Sequence, residues 1–280
     1  MSGWADARIW ITGASSGIGE ALVDAFARRG ARIALTARRA DRLQAIAGRN
    51  VARATPVAET ISARLLVLPA DVTNRAEVSA AAQEIEAAWG AIDLAIFNAG
   101  GSIRHQASTV EAQPAADPTS EGGVARFLAA DYTDTMLLNY FSVVYGIDAV
   151  LPGMLARGAG HIAAVASLAG YRALPAGGAY GASKAAVIHL LDSLRFDVER
   201  RGVCVSVINP GFVETPLTAR NAFHMPFLIG AADAAERIVA GLEHGRREIA
   251  FPAQMSWTMK LLRILPYSAY ARVMAAASRR

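Results

Sequence analysis

Tyr180 and Lys184 stand four residues apart in Tyr180-Gly181-Ala182-Ser183-Lys184, in a stretch whose apolar spacing predicts a helix over residues 179–200. Residues i and i+4 share one helix face. A phenol titrates near ~10 in water, too high for efficient proton exchange at neutral pH. An ammonium one turn away favours the phenolate and is expected to pull that value down. Such a tyrosine can give a proton to a carbonyl oxygen or take one from an alcohol. The pair alone is weak: many helices carry a packed tyrosine and a solvated lysine at this spacing.

A second chemical signal lies near the N-terminus. Thr12-Gly13-Ala14-Ser15-Ser16-Gly17-Ile18-Gly19 joins a short apolar run to a helical one. Glycines let the backbone turn sharply and approach a pyrophosphate. The helix N-terminus behind them offers unpaired N–H groups and a positive dipole end. The spacing is not G-x-G-x-x-G, and an ordinary Gly/Ser turn is the plainer reading; phosphate binding is preferred. Beyond the next apolar run stand Arg38 and Arg39, where NAD-binding folds often place an acid for the ribose 2′-hydroxyl. Guanidinium groups suit a 2′-phosphate instead, so NADP(H) is expected over NAD(H). The alternative is a solvated arginine pair at a helix start.

These residues need a frame. Apolar runs at 8–12, 32–36, 65–68, 94–97, 161–165, 203–208 and 248–251 read as strands. Helical spacing covers 17–29, 75–89, 131–157, 179–200 and 232–244, with Gly30 closing the first helix. Uninterrupted apolar strands are covered on both faces, and strand–helix alternation predicts a parallel, doubly wound α/β sheet of about seven strands with helices on both faces. No internal repeat or domain boundary divides residues 1–280. Two stretches resist the pattern: 101–123, read as a long loop beside the site, and 50–62, read as extra length before the third strand.

With these residues in view, the sequence resembles the short-chain dehydrogenase/reductase family. The family's glycine motif matches Thr12, Gly13, Gly17 and Gly19; its Asp-Val pair matches Asp71-Val72; its Asn-Ala-Gly matches Asn98-Ala99-Gly100. Its active-site asparagine and serine match Asn139 and Ser167, and its Pro-Gly and following threonine match Pro210-Gly211 and Thr215. The matches run in order from residue 12 to residue 215. The resemblance implies a Rossmann-like fold and hydride transfer between NAD(P) and a carbonyl or secondary alcohol. It implies that Ser167 orients the substrate oxygen, Tyr180 is the acid/base, and Lys184 binds the nicotinamide ribose and tunes Tyr180. Asn139 would hold a relay water. Thr215 and the backbone near Val213 would fix the carboxamide. Gly13, Ser15, Ser16, Gly17, Ile18, Gly19, Arg38, Arg39, Asp71, Val72, Asn98, Ala99, Gly100, Pro210 and Gly211 complete the expected cofactor set. The intervals before Asp71 and between Asn98 and Asn139 are longer than the family's usual ones.

Composition narrows the alternatives. Residues 246–280 carry seven Arg/Lys against one acid, so the net charge of +4 is local and no nucleic-acid-binding surface is expected. The five histidines lack metal-ligand spacing, and the single Cys204, inside an apolar run, reads as a buried strand thiol, so no metal site is expected. Neither a signal peptide nor an uninterrupted apolar stretch of about 20 residues is seen, and a cytoplasmic location is expected. The family resemblance implies that residues 212–230 form a substrate lid. Phe223, Met225, Phe227 and Leu228 on it, with Leu168, Tyr171 and Leu174 near Ser167, suggest an apolar carbonyl or alcohol substrate. The apolar, basic tail at 253–280 is read as capping the pocket or packing on another subunit, with membrane contact less favoured; the family resemblance implies a homodimer or homotetramer. A non-catalytic NADP(H) sensor and a peripheral membrane enzyme acting on lipid-like carbonyls are the rival readings.

Overall fold

The computed structural model describes residues 3–53, 64–103, 128–175, 177–220 and 225–277. Its strands are β1 (Arg8–Thr12), β2 (Arg32–Ala37), β3 (Leu65–Pro69), β4 (Leu94–Phe97), β5 (Gly160–Val165), β6 (Val203–Pro210), β7 (Val213–Glu214), β8 (Ile229–Gly230) and β9 (Glu248–Phe251). Seven of them form one parallel sheet in the order β3-β2-β1-β4-β5-β6-β9. The chain order reverses between β1 and β4, which opens a crevice at their carboxyl ends.

Alternate side chains of each strand enter separate cores. Ile9 and Ile11 of β1 face α1 (Gly17–Ala27) and α2 (Ala40–Arg53), whereas Trp10 points to the other side. That side is covered by α3 (Arg75–Trp89), by α4 (Ala129–Met136) running through a π turn at Leu137–Phe141 into α5 (Ser142–Arg157), and by α6 (Gly178–Val198). The first face is completed by α7 (Ala231–Glu243). Two helices, α8 (Ala253–Ile264) and α9 (Tyr267–Ala277), follow β9. Local chemistry sets the ends of α3: the Asn74 side chain accepts from the Ala76 N–H at 3.0 Å, and Gly90 closes the helix at φ +81°.

Two expectations are corrected, at residues 50–53 and at Cys204. Residues 50–53 are not extra length but the last turn of α2, whose thin apolar stripe, Leu43 and Ile46, is outweighed in sequence by its charges; the remainder, 54–62, lies outside the described residues. The same holds for most of the expected loop at 101–123, of which residues 101–103 are described. Cys204 is exposed rather than buried. It is the second residue of β6 and points away from the face that buries Val203 and Val205, at the strand end where cover has run out. The stretch Ala129–Arg157 is long and apolar enough to cross a membrane by length and composition, with polar residues interspersed along it. Its Val143, Ile147, Val150 and Met154 are spent on the sheet.

Buried charge chemistry in the sheet gives one prediction. His161 on β5 is buried against Ser206, with Nε2 and Oγ 2.8 Å apart, and burial pushes it down from 6.5 to about 4. Between those values the unfolded chain takes up a proton that the folded chain does not. Stability therefore falls as pH drops through this window, by about 3 kcal/mol. Chemical denaturation of His161→Gln beside the natural chain should show that much less acid destabilisation; equal slopes would refute the assignment.

Candidate active site

The cleft lies along the carboxyl ends of six strands and encloses about 350 Å³. The turn after β1 forms its floor. Gly13 sits at φ +66°, where a side chain would be strained, and a Cβ there would lie 2.7 Å from Ala99 Cα. At Gly19 a Cβ would come within 2.2 Å of the Gly13 carbonyl oxygen, so glycine lets α1 start hard against the turn. The β4 end locks this turn: Asn98 and Ala99 donate their N–H groups to Thr12 Oγ1 at 3.1 and 3.2 Å, and Asn98 Nδ2 donates to the Thr12 and Gly13 carbonyls. The side chain of Ser16, the residue that opens α1, makes no capping bond, so the positive end of the helix faces the cleft.

Arg38 and Arg39 form the wall beyond β2. Arg39 donates to Ser15 Oγ at 3.0 Å and Ser16 Oγ at 3.3 Å, holding the turn from outside. Arg38 acts on Asp71. Burial pushes that carboxyl up, but two hydrogen bonds from Thr73 and the Arg38 charge outweigh it and hold Asp71 below the usual range.

Ser167, at the end of β5, and Tyr180, on the first turn of α6, both line the cleft, and the Ser167 hydroxyl favours the Tyr180 phenolate. The Tyr180 ring is enclosed by protein atoms yet keeps part of its surface open to the cleft. Burial pushes the phenol up, against the smaller opposing effect of Ser167. The sequence-based expectation that Lys184 pulls it down is therefore not met by the protein groups alone. The reason is geometric. Lys184 Nζ lies 5.7 Å from the Tyr180 ring centre and donates to the Val165 carbonyl at 2.8 Å. Burial lowers this ammonium to about 8.

Asn139 lies in the π turn, a distortion that re-aims a side chain out of helical register. It is fully buried and its amide is fully used: Oδ1 accepts from Gly101 N–H at 2.7 Å, and Nδ2 donates to the Gly101 carbonyl and to Ser183 Oγ, both at 2.8 Å. Ser183 Oγ donates to the Tyr180 carbonyl at 2.7 Å, so Asn139 braces the helix that carries the tyrosine.

Gly13, Ser15, Ser16, Gly17, Ile18, Arg38, Arg39, Val72, Asn98, Ala99, Gly100, Ser167, Tyr180, Lys184, Pro210, Gly211, Val213 and Thr215 all line the cleft. Gly19, Asp71 and Asn139 stand behind its walls and act through their neighbours. Thr215 packs across the turn, its Cγ2 at 2.9 Å from where a Gly17 Cβ would be. Sequence reasoning missed Thr218, which donates to the Val213 carbonyl at 2.6 Å and accepts from the Thr215 N–H at 3.0 Å, fixing that loop. It also missed the apolar wall, Leu138, Pro216 and Leu217. The residues named for that role sit elsewhere. Leu168 and Tyr171 are core, Phe227 and Leu228 are exposed, Leu174 and Met225 are absent from the described lining, and Phe223 lies outside the described residues. Apolarity marked Leu168 and Tyr171, but the fold spends both on the core.

A parallel switch-point crevice, a glycine turn feeding a helix N-terminus, and a buried Ser-Tyr-Lys group define a dinucleotide-dependent oxidoreductase site. The donor set fits such a cofactor: an open helix end for the pyrophosphate, and two arginines at the ribose end. The short chain dehydrogenase family model matches residues 7–224, and the chain belongs to that family. An oxidoreductase of Myxococcus xanthus is 36% identical over 258 residues, covering 91% of both chains. A short-chain dehydrogenase of Sphingobium yanoikuyae, solved in complex with NADPH, superposes with a TM-score of 0.74 at 25% identity, covering 96% of this chain and 95% of that one. A family member from Burkholderia phymatum in complex with NAD superposes at 0.76, with 24% identity and coverage of 93% and 94%. The protein is thus an oxidoreductase of this family, working with a nicotinamide cofactor.

Proposed function

We propose that the protein reduces an apolar ketone or aldehyde with NADPH, Tyr180 giving the proton. One observation carries this reading: the Ser167–Tyr180 hydroxyl pair opens into the same cleft as the glycine turn and Lys184. A bound nicotinamide would supply the two-electron exchange. The chain's own residues do the rest. Ser167 holds the substrate oxygen against Tyr180. With its pKa raised by burial, Tyr180 is protonated at neutral pH, which is the form that donates. Lys184, which lines the same cleft, would hold the ribose hydroxyls at the nicotinamide end of a bound cofactor. Leu138, Pro216 and Leu217 exclude water from the reacting end and favour apolar substituents. Val213 and Thr215, fixed by Thr218, shape the wall where the nicotinamide end would rest.

NADPH is preferred because Arg38 stands at the exposed end of the cleft, with its charge available to a 2′-phosphate. Arg38→Asp should shift the ratio of NADPH to NADH affinities towards NADH by about tenfold or more. Fluorescence titration of both cofactors reads this directly, and an unchanged ratio would remove the reason for choosing NADP. Oxidation of NADPH across a panel of carbonyl compounds tests the activity; binding without turnover on chemically diverse carbonyls would overturn it.

A further inference from the structure

Helices α8 and α9 turn an apolar face outward that no element among the described residues covers. Trp257, Leu261 and Ile264 follow at i, i+4 and i+7 on α8 and are 71%, 60% and 75% exposed; Tyr267 at the start of α9 is 78% exposed. The opposite side of α8 is anchored. Ser256 and Met259 are buried, Lys260 Nζ donates to Glu248 Oε2 at 2.5 Å, and Glu248 accepts in turn from the Tyr171 hydroxyl. The Arg172 guanidinium lies 4.4 Å over the Tyr270 ring of α9. The orientation of the exposed row is therefore fixed by the protein and is not a fraying end.

The charge carried by these two helices has one sign. Residues 253–280 hold Lys260, Arg263, Arg272, Arg279 and Arg280 and no acid, although the whole chain has 24 acids against 28 bases. Lys260 is paired, but among the described residues no carboxylate forms an ion pair with Arg263 or Arg272, and both are exposed. A tryptophan-bearing apolar stripe edged by exposed arginines, of which Arg263 also acts on Glu248, matches the interface between lipid headgroups and acyl chains. A second copy of this chain would instead bring like charge to like charge across a twofold contact.

We infer that α8 and α9 dock the protein on an anionic membrane surface, Trp257, Leu261 and Ile264 entering the headgroup layer with Arg263 and Arg272 against lipid phosphates. The face is attached to the cleft: Met255 on α8 packs at Gly211, and α8 meets the turn Leu168–Gly170 after Ser167. Docking does not depend on the chemistry in the cleft, and its test needs no turnover.

Co-sedimentation of the full chain with phosphatidylcholine vesicles, with and without phosphatidylserine, tests it. Binding to the phosphatidylserine vesicles is expected, weakened by salt and accompanied by a blue shift of tryptophan emission, since Trp257 is exposed whereas Trp4 and Trp10 are buried and Trp89 is half-buried. Trp257→Ser with Leu261→Ser and Ile264→Ser should lower the bound fraction about tenfold or more with the thermal midpoint unchanged, because these side chains support no core. Arg263→Glu with Arg272→Glu should abolish the preference for phosphatidylserine. Equal sedimentation with and without vesicles would overturn the inference. So would a chain that binds no lipid but falls from oligomer to monomer on size exclusion when the three apolar residues are replaced, since a second copy would then cover the face.

Discussion

Tyr180→Phe is expected to lower turnover by about a thousandfold while leaving dinucleotide affinity within a factor of about two, because positioned proton transfer contributes about 10² to 10⁴ in rate. Phenylalanine keeps the ring that is packed on the first turn of α6 and removes only the hydroxyl on which Ser167 acts. The glycine turn, the Asn98 lock and the arginine wall do not touch that hydroxyl. The expected loss is thus in kcat, about 4 kcal/mol of barrier, with no comparable loss of cofactor binding. Ser167→Ala should act in the same direction but less severely, since it removes an orienting partner and leaves the donor. A Tyr180→Phe enzyme that retained turnover within fivefold of the natural chain would show that the proton comes from elsewhere, and water would become the leading donor.

The strands that bear the site were readable because parallel strands buried on both faces are uninterrupted apolar runs. β1, β4 and β9 have the bounds that their sequence predicts, and α3 does too, because Asn74 and Gly90 mark its ends. The site residues were readable because their chemistry needs particular side chains at the strand ends. What sequence could not convey was direction. Asn139 stands in the expected helix, but the π turn that aims its amide at Gly101 and Ser183 has no local signal. Tyr171 is apolar in bulk and close to Ser167 in sequence, yet its hydroxyl turns to Glu248, 77 residues away in a strand of four. The short pair β7–β8, two residues each, is held by the Thr218 bonds and by pairing with a partner far along the chain, neither of which leaves a periodic pattern. The expected effect of Lys184 on Tyr180 failed for the same reason: four residues along a helix fixes the face, but not the distance between a long side chain's tip and its neighbour's ring.

That distance leads to the second large effect. Lys184→Met is expected to lower turnover about a hundredfold or more and, at neutral pH, to raise stability. Its ammonium is buried with one protein acceptor, the Val165 carbonyl, and no carboxylate of the described residues pairs with it. A buried charge so weakly compensated is costly, as its fall from 10.5 to about 8 records. Methionine fills similar space without the charge. Allowing for the orphaned Val165 carbonyl, the net gain is about 2 kcal/mol, roughly 4 °C or more in thermal midpoint for a chain of this size. The pH dependence separates this from better packing. Between about 8 and 10.5 the unfolded lysine keeps a proton that the folded one has lost, so the natural chain gains stability as pH rises through that window. The variant has no such group, and its advantage should shrink towards pH 10.5. Lys184→Arg should keep the cost and some of the activity. A Lys184→Met chain that lost turnover and was also less stable at every pH would mean that the lysine braces the fold, and that the site has not been built against the fold's own stability.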